Sequence, residues 1–322
     1  MSFRLVRFLL PFAVSAAIAS AAHAADDSLR FLRELQDRGY GPVAVDYLEM
    51  LHARGPLPPQ LADVYDLQMS KALRMSAAWA YNKAEREDRL AKAQQFLEKF
   101  LKEHPDHAAA DEAIGSQGDL AFDEALTQLA QARLSKDAKG KTELFAAARK
   151  RFEEARPQYA QTAQRLQAKY DELLAARAEG KPDRPRRNTK SESAEEAIFD
   201  AELAWLDSQF KLARVDYFVA QTYAEPAEKA QRDESLKKAA AAFDELFQRN
   251  RNREDVSLFI SLYAHTMHGK CADELGSTVL ALDIYDEVLS AEPENASREK
   301  VSPQEQRLFS EVNLYRLLIV KR

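Results

Sequence analysis

The chain has 322 residues, with 52 acidic against 46 basic side chains and a net charge of −6. That balance argues against non-specific nucleic-acid binding, which needs a positive field over the phosphates. Cys271 is the single cysteine, so no disulfide within the chain is available, and stability has to come from packed apolar surface.

The N-terminus carries a targeting signal. Arg4 and Arg7 precede the apolar run Phe8–Ser20, and Ala22-His23-Ala24 follows as a small-x-small cleavage site. This pattern predicts a secretory signal peptide over 1–24, cut after Ala24. A bilayer span would need about 20 apolar residues. Cleavage removes two arginines and no acid, which moves the charge from −6 to −8. The expectation is an exported chain, periplasmic or secreted, with no transmembrane segment in its mature part. The cleavage site has no cysteine, so a lipid anchor is not expected.

Beyond the signal, glycine is scarce, Ala, Leu, Glu, Lys, Arg and Gln abound, and apolar residues recur at three and four. This predicts an all-α protein. Leu29, Leu32 and Leu35 mark the first helix, which Gly39-Tyr40-Gly41-Pro42 ends. A second helix runs to Arg54, a third over about 59–86, and a fourth to Glu103. Helices near 107–134, 139–156 and 158–178 follow, with Asp106 available to cap the first of these. Short connections predict antiparallel neighbours. The segment 179–196 has two prolines and almost nothing apolar, so it reads as a linker or long loop between helical regions at 25–178 and 197–322. After it, a helix over 194–224 is apolar on more than one side and should pack on both flanks. Helices near 227–249, 253–275, 278–291 and 303–321 complete the chain.

One spacing recurs. Ala44, Leu48, Leu51 and Pro56 repeat as Ala93, Leu97, Phe100 and Pro105, and again as Ala281, Tyr285, Val288 and Pro293. Weaker copies are Ala148-Phe152-Ala155 and Ala239-Phe243-Leu246. Positions i, i+4 and i+7 share one helical stripe. The small residue admits a neighbouring backbone, the larger two fill the gap, and the proline stops the helix. A unit of this kind buries its stripe by stacking on the next.

These residues resemble the second helix of a tetratricopeptide repeat, in degenerate form. The match is best over 262–295, where Gly269 takes the small position of the first helix. Intervals between copies vary, valine or leucine replaces the family's second alanine, and the tryptophan-leucine start is missing. The resemblance implies an antiparallel helix-hairpin array, a right-handed solenoid with some elongated helices, as in exported bacterial cell-envelope scaffolds. The alternative is a non-repetitive bundle with chance spacing. The resemblance further implies a concave groove lined by Tyr263, Thr266, Met267, Lys270, Asp273 and Glu274, with Asn82 and Glu85 in an earlier unit. Ala78 stands where the family's carboxylate-clamping lysine would be, so an extended peptide or protein is the expected partner.

Motifs for catalysis are missing: the sequence has no Gly-rich phosphate loop, Gly-x-Ser-x-Gly elbow, His-Glu-x-x-His or Cys-x-x-Cys-His. Glu49-x-x-His52 occurs once, whereas di-iron bundles need that pair twice. The sharper metal candidate is His265, His268 and Cys271 at three-residue steps, a weak set on a single helix; Cys271 alone reads as a small buried apolar residue. Aromatics such as Trp79, Tyr81, Tyr217 and Tyr263 read as core before they read as groove. Three functions remain open. The first is an exported, non-enzymatic adaptor with no cofactor. The second is a structural or self-associating segment of a larger array, joined through 303–322, whose end Leu314-Tyr315-Arg316-Leu317-Leu318-Ile319-Val320 is apolar. The third is a metal-binding protein.

Overall fold

The computed structural model describes residues 28–179, 194–252, 257–292 and 303–321. The predicted signal peptide, most of 179–196, and Pro293 lie outside the described residues. The described residues are all helical and contain no strand. None of their helices is long and apolar enough to cross a membrane. The chain divides into two compact units, Met1–Leu120 and Ala121–Arg322.

In the first unit, helix α1 covers 28–37. It ends where Gly39 takes φ 73°, and the Gly39 and Tyr40 amides donate to Gln36 and Leu35 carbonyls at 2.9 Å. That pair of bonds caps orphan carbonyls with a residue that pays no Cβ penalty in the left-handed region. Then come α2 (Gly41–Ala53), the single turn α3 (Pro59–Ala62), α4 (Tyr65–Ala77), α5 (Lys83–Glu103) and α6 (Ala110–Leu134), which continues past Leu120. Two copies of the spacing rule meet in one core. Ala44 and Leu48 of α2 and Ala93, Leu97 and Phe100 of α5 are fully buried with Leu61, Leu67 and Ala72 between them. Each such leucine contributes about 1.5–3 kcal/mol of burial. Leu51 is half-buried, and the stop prolines Pro56 and Pro105 are exposed, as helix terminators should be.

The helix expected over 59–86 is instead interrupted twice. Val64, at φ −119° and ψ 9°, separates α3 from α4, and residues 78–82 separate α4 from α5. The second break is written locally. Asn82 is extended, and its side chain accepts from the Glu85 amide at 3.0 Å, while Glu85 accepts from the Tyr81 amide at 2.8 Å. An Asn with Glu three residues on is a helix start. At the head of α6 the expected cap at Asp106 is also corrected. The helix begins later, and His107 Nδ1 accepts from the Ala109 amide at 3.1 Å.

In the second unit, α7 (Ala138–Ala178) is followed by α8 (Ala194–Ala220), the 3-10 turn Pro226–Glu228, α9 (Lys229–Asn250), α10 (Ser257–Glu274), α11 (Thr278–Ser290) and α12 (Pro303–Val320). The two helices expected at 139–156 and 158–178 are one helix of 41 residues with Pro157 inside it. An interior proline costs about 3 kcal/mol. Here α8 packs along α7 on both sides of the proline and offsets that cost: Phe152 and Tyr159 share a core with Val215 and Val219, and Tyr170 stacks on Trp205 with centroids 6.0 Å apart. Arg156, next to the proline, holds Glu153 at 2.7 Å and Asp216 at 3.0 Å.

Pairings along these helices establish their directions. Arg149 meets Thr222, Arg156 meets Asp216, and Arg177 meets Glu195, so α7 and α8 are antiparallel. Phe247 against His265 and Arg232 against Glu274 make α9 and α10 antiparallel as well. Three cores follow one another. Residues of α6, α7 and α8 form the first around Phe152, those of α8, α9 and α10 the second around Phe243, and those of α9 to α12 the third around Tyr285. Helix α8 contributes to two of them, as its apolar flanks required. All three small-large copies in this unit are buried: Ala148, Phe152 and Ala155, then Ala239, Phe243 and Leu246, then Ala281, Tyr285 and Val288.

Candidate functional site

Helix α10 carries most of the sequence-predicted site residues, and its neighbours enclose it. Gly269 lies so close to α11 that a Cβ there would sit 2.6 Å from Tyr285 Cε1 and 3.0 Å from Ile284 Cγ2. On another side α8 approaches, with Phe210 5.3 Å from the Tyr263 ring. Met267 is 7% exposed and Thr266 2% exposed, and the Thr266 hydroxyl donates to the Leu262 carbonyl at 2.9 Å. These two positions therefore belong to the interior, because α8 and α12 also pack against α10. Tyr263, Lys270, Asp273 and Glu274 are half-buried.

Around Lys270 and Glu274 the structure builds a polar cluster from several helices. Glu274 accepts from the Tyr217 hydroxyl at 2.8 Å, from Gln221 Nε2 at 2.6 Å and from Arg232 Nη2 at 3.0 Å. Gln221 in turn accepts from Arg133 Nη2 at 3.0 Å. The Lys270 ammonium lies 4.7 Å from the Tyr315 ring centroid and 5.4 Å from that of Tyr217, within range of cation–π attraction. Burial pushes the Lys270 pKa down, against the opposing pull of the Glu274 and Glu311 carboxylates. Burial, and then the nearby Glu274 charge, push the Tyr217 phenol up. The result is a cation held between two rings and beside a carboxylate that several donors already occupy. Sequence spacing placed Lys270 and Glu274 on one helix and singled out Tyr217 as core or groove, but it did not connect Tyr217, Gln221, Arg232 or Tyr315 to them.

The histidines and the cysteine separate. Cys271 is fully buried among Leu236, Ala239, Phe243 and Met267, and burial raises its thiol pKa to about 12. It behaves there as a small apolar side chain. His265 and His268 turn the other way, toward Asp244 of α9. His265 is 3% exposed, lies flat on Phe247 with centroids 3.6 Å apart, and its Nε2 is 2.9 Å from Glu287 Oε2. His268 Nδ1 is 3.6 Å from Asp244 Oδ1.

Burial lowers both imidazole pKa values, outweighing Glu287 and Asp244 for His265 and Asp244 for His268. A lowered folded pKa means that the unfolded chain binds the proton more readily. Stability is therefore intact above about 6.5, the ordinary histidine value, and declines as pH falls below it. Melting temperatures measured in chelator from about pH 7.5 down to about pH 5 should fall less steeply for His265→Gln than for the parent chain. Equal slopes would remove these histidines as the cause.

In the first unit Asn82 and Glu85 act as the start of α5, with Glu85 also paired to Arg89 at 2.5 Å. His52 is exposed in the last turn of α2, stacked on Tyr65. Trp79 and Tyr81, read as core residues, are 59% and 98% exposed, because the break before α5 carries them out of the helical stripe. Trp79 Nε1 donates to the Gly39 carbonyl at 3.1 Å, which places the ring at the α1–α2 corner; Tyr40 and Val43, which follow Gly39 in the chain, are 45% and 50% exposed. Sequence spacing did not find this aromatic corner. The signal was the pair Asn82-x-x-Glu85, which starts α5 and so leaves Trp79 and Tyr81 in the connection between two helices. Neither a protein-family model nor any curated protein matches this chain.

Proposed function

We propose that this chain is an exported helical-repeat adaptor, similar to tetratricopeptide scaffolds, that binds a protein or extended peptide and performs no chemistry on it. The observation that carries the reading is the aromatic corner of the first unit. Tyr40, Val43, Trp79 and Tyr81 are all exposed, and Trp79 is held by its hydrogen bond to the Gly39 carbonyl. Exposed Trp and Tyr on a preorganised surface are the side chains that dominate protein interfaces. Burial of the recurring small-large copies between successive helices supports the repeat architecture. The pattern of residues 1–24 supports export, and the N-terminal residue of the protein recovered from the exporting cell checks it: Ala25 is expected.

The binding test is affinity capture from envelope extract with the mature chain, a Trp79→Ser/Tyr81→Ser variant and a Lys270→Met variant. A protein retained by the parent and lost with the first variant supports the corner as the binding surface. Loss with Lys270→Met alone moves the surface to α10. Recovery of the same protein by all three chains, or of none, counts against the adaptor reading.

A second reading has its own observation. On α12, Leu314, Leu317, Leu318 and Val320 are 54%, 61%, 47% and 65% exposed, an apolar face suited to self-association. Light scattering should then give a mass above the monomer that Leu317→Glu/Val320→Glu returns to the monomer value.

A further inference from the structure

Asp244 on α9 and His265 and His268 on α10 each offer one ligand atom, and these atoms lie within 4.8 Å of one another. Two neighbouring antiparallel helices therefore supply the set, which a single helix seldom does. The chemistry of His265 selects its free nitrogen. Its Nε2 faces the Glu287 carboxylate at 2.9 Å, and an ionised carboxylate only accepts, so the imidazole carries its proton on Nε2. Nδ1 is left with a bare lone pair, and it is buried without a hydrogen-bond partner. His268 Nδ1 is likewise buried and without one, 3.6 Å from Asp244 Oδ1. Leaving a buried polar atom unpaired is costly. Each histidine thus keeps a buried nitrogen without a hydrogen-bond partner, within a cluster that also includes the Asp244 carboxylate.

We infer that Asp244, His265 and His268 bind a zinc-class divalent cation, with Glu287 holding the His265 ring in its ligating tautomer and Phe247 fixing the plane of that ring. Imidazole nitrogen with one carboxylate suits zinc, whereas calcium and magnesium take oxygen ligands. Three protein ligands leave a fourth tetrahedral position open. Bonds of about 2.0–2.1 Å place tetrahedral ligand atoms about 3.3 Å apart, so separations of up to 4.8 Å close by up to about 1.5 Å. Asp244 and His268 have that freedom: their side chains are 42% and 17% exposed, and they also line the way in. A Glu–His–metal relay of this form raises ligand basicity and fixes orientation. Cys271, which sequence spacing grouped with the histidines, is replaced in the set by Asp244 from the adjoining helix.

The test is a calorimetric titration of the chelator-stripped full mature chain with zinc chloride, alongside cobalt substitution followed in the visible spectrum. One zinc per chain is expected, with Kd below about 1 µM. Asp244→Asn and His268→Gln, both at half-exposed positions, should each weaken binding at least about tenfold, and Glu287→Gln by about 10–100-fold. Cys271→Ser should leave it unchanged. The cobalt derivative of the parent should show a d–d band without thiolate charge transfer, a readout independent of whether any variant folds. Failure of the parent to bind below about 100 µM, undiminished affinity in His268→Gln, or a thiolate band would each overturn the site.

Discussion

Gly41→Ala is expected to destabilise the first unit by about 3 kcal/mol. A Cβ at Gly41 would lie 2.3 Å from the Ser76 nitrogen, 2.5 Å from the Met75 carbonyl carbon and 2.8 Å from Ser76 Cα. All three are backbone atoms of α4, so no rotamer change relieves the clash, and α2 has to move off its partner. Moving it opens the core around Ala44 and Leu48. Two other glycines calibrate the effect. At Gly269 the obstacle is the Tyr285 ring, which can turn, so Gly269→Ala should cost about 1–2 kcal/mol. At Gly39 nothing lies within 4 Å, and only the φ of 73° is strained for another residue, worth about 1 kcal/mol. Urea unfolding of the three variants, followed by circular dichroism, should rank them in that order. A Gly41 variant no less stable than the Gly39 one would sink the close approach of α2 to α4.

Tyr285→Asp should cost still more, about 5 kcal/mol, enough to disrupt the helices of the third core at 25 °C. The side chain is 1% exposed and lies against Gly269 on α10, with Tyr315 of α12 6.0 Å away between centroids. Truncation forfeits its packing, and the new carboxylate would be stripped of water in the core. Burial would raise that carboxyl's pKa in the folded state. The penalty should therefore grow as pH rises through about 4 and shrink in acid, the reverse of the histidine effect. Tyr285→Leu keeps an apolar side chain and should retain most of the helicity. An unfolding midpoint for Tyr285→Asp equal to that of the parent would show that α11 does not depend on this contact.

Some features were legible because they rest on local chemistry. The small-large spacing marked residues that are buried in every copy except at Leu51, which is half-buried, since a stripe at i, i+4 and i+7 has to be covered wherever helices pack. Glycine at 39 ended α1 for the reason expected of it. Other features were misread where tertiary packing outweighed a local preference. Pro157 is a helix breaker by every local rule, yet α7 runs through it because α8 covers both sides. Asn82 and Glu85 matched groove positions by register, but their side chains satisfy the free amides at the start of α5.

The candidate sites divide along the same line. Sequence alone determined that the described chain would be helical, that its helices would carry one recurring apolar stripe, and that His265, His268, Lys270 and Glu274 would share a helix, because each of these follows from periodicity along one segment. Only the tertiary structure decided which groups from other helices meet them. It set Asp244 and Glu287 beside the histidines, Tyr217 and Tyr315 around Lys270, and Cys271 in the core. It also carried Trp79 and Tyr81 out to the surface. The physical reason is that a residue's position along a helix sets only its direction from that helix axis, while its partners depend on which neighbouring helix packs there and in what register.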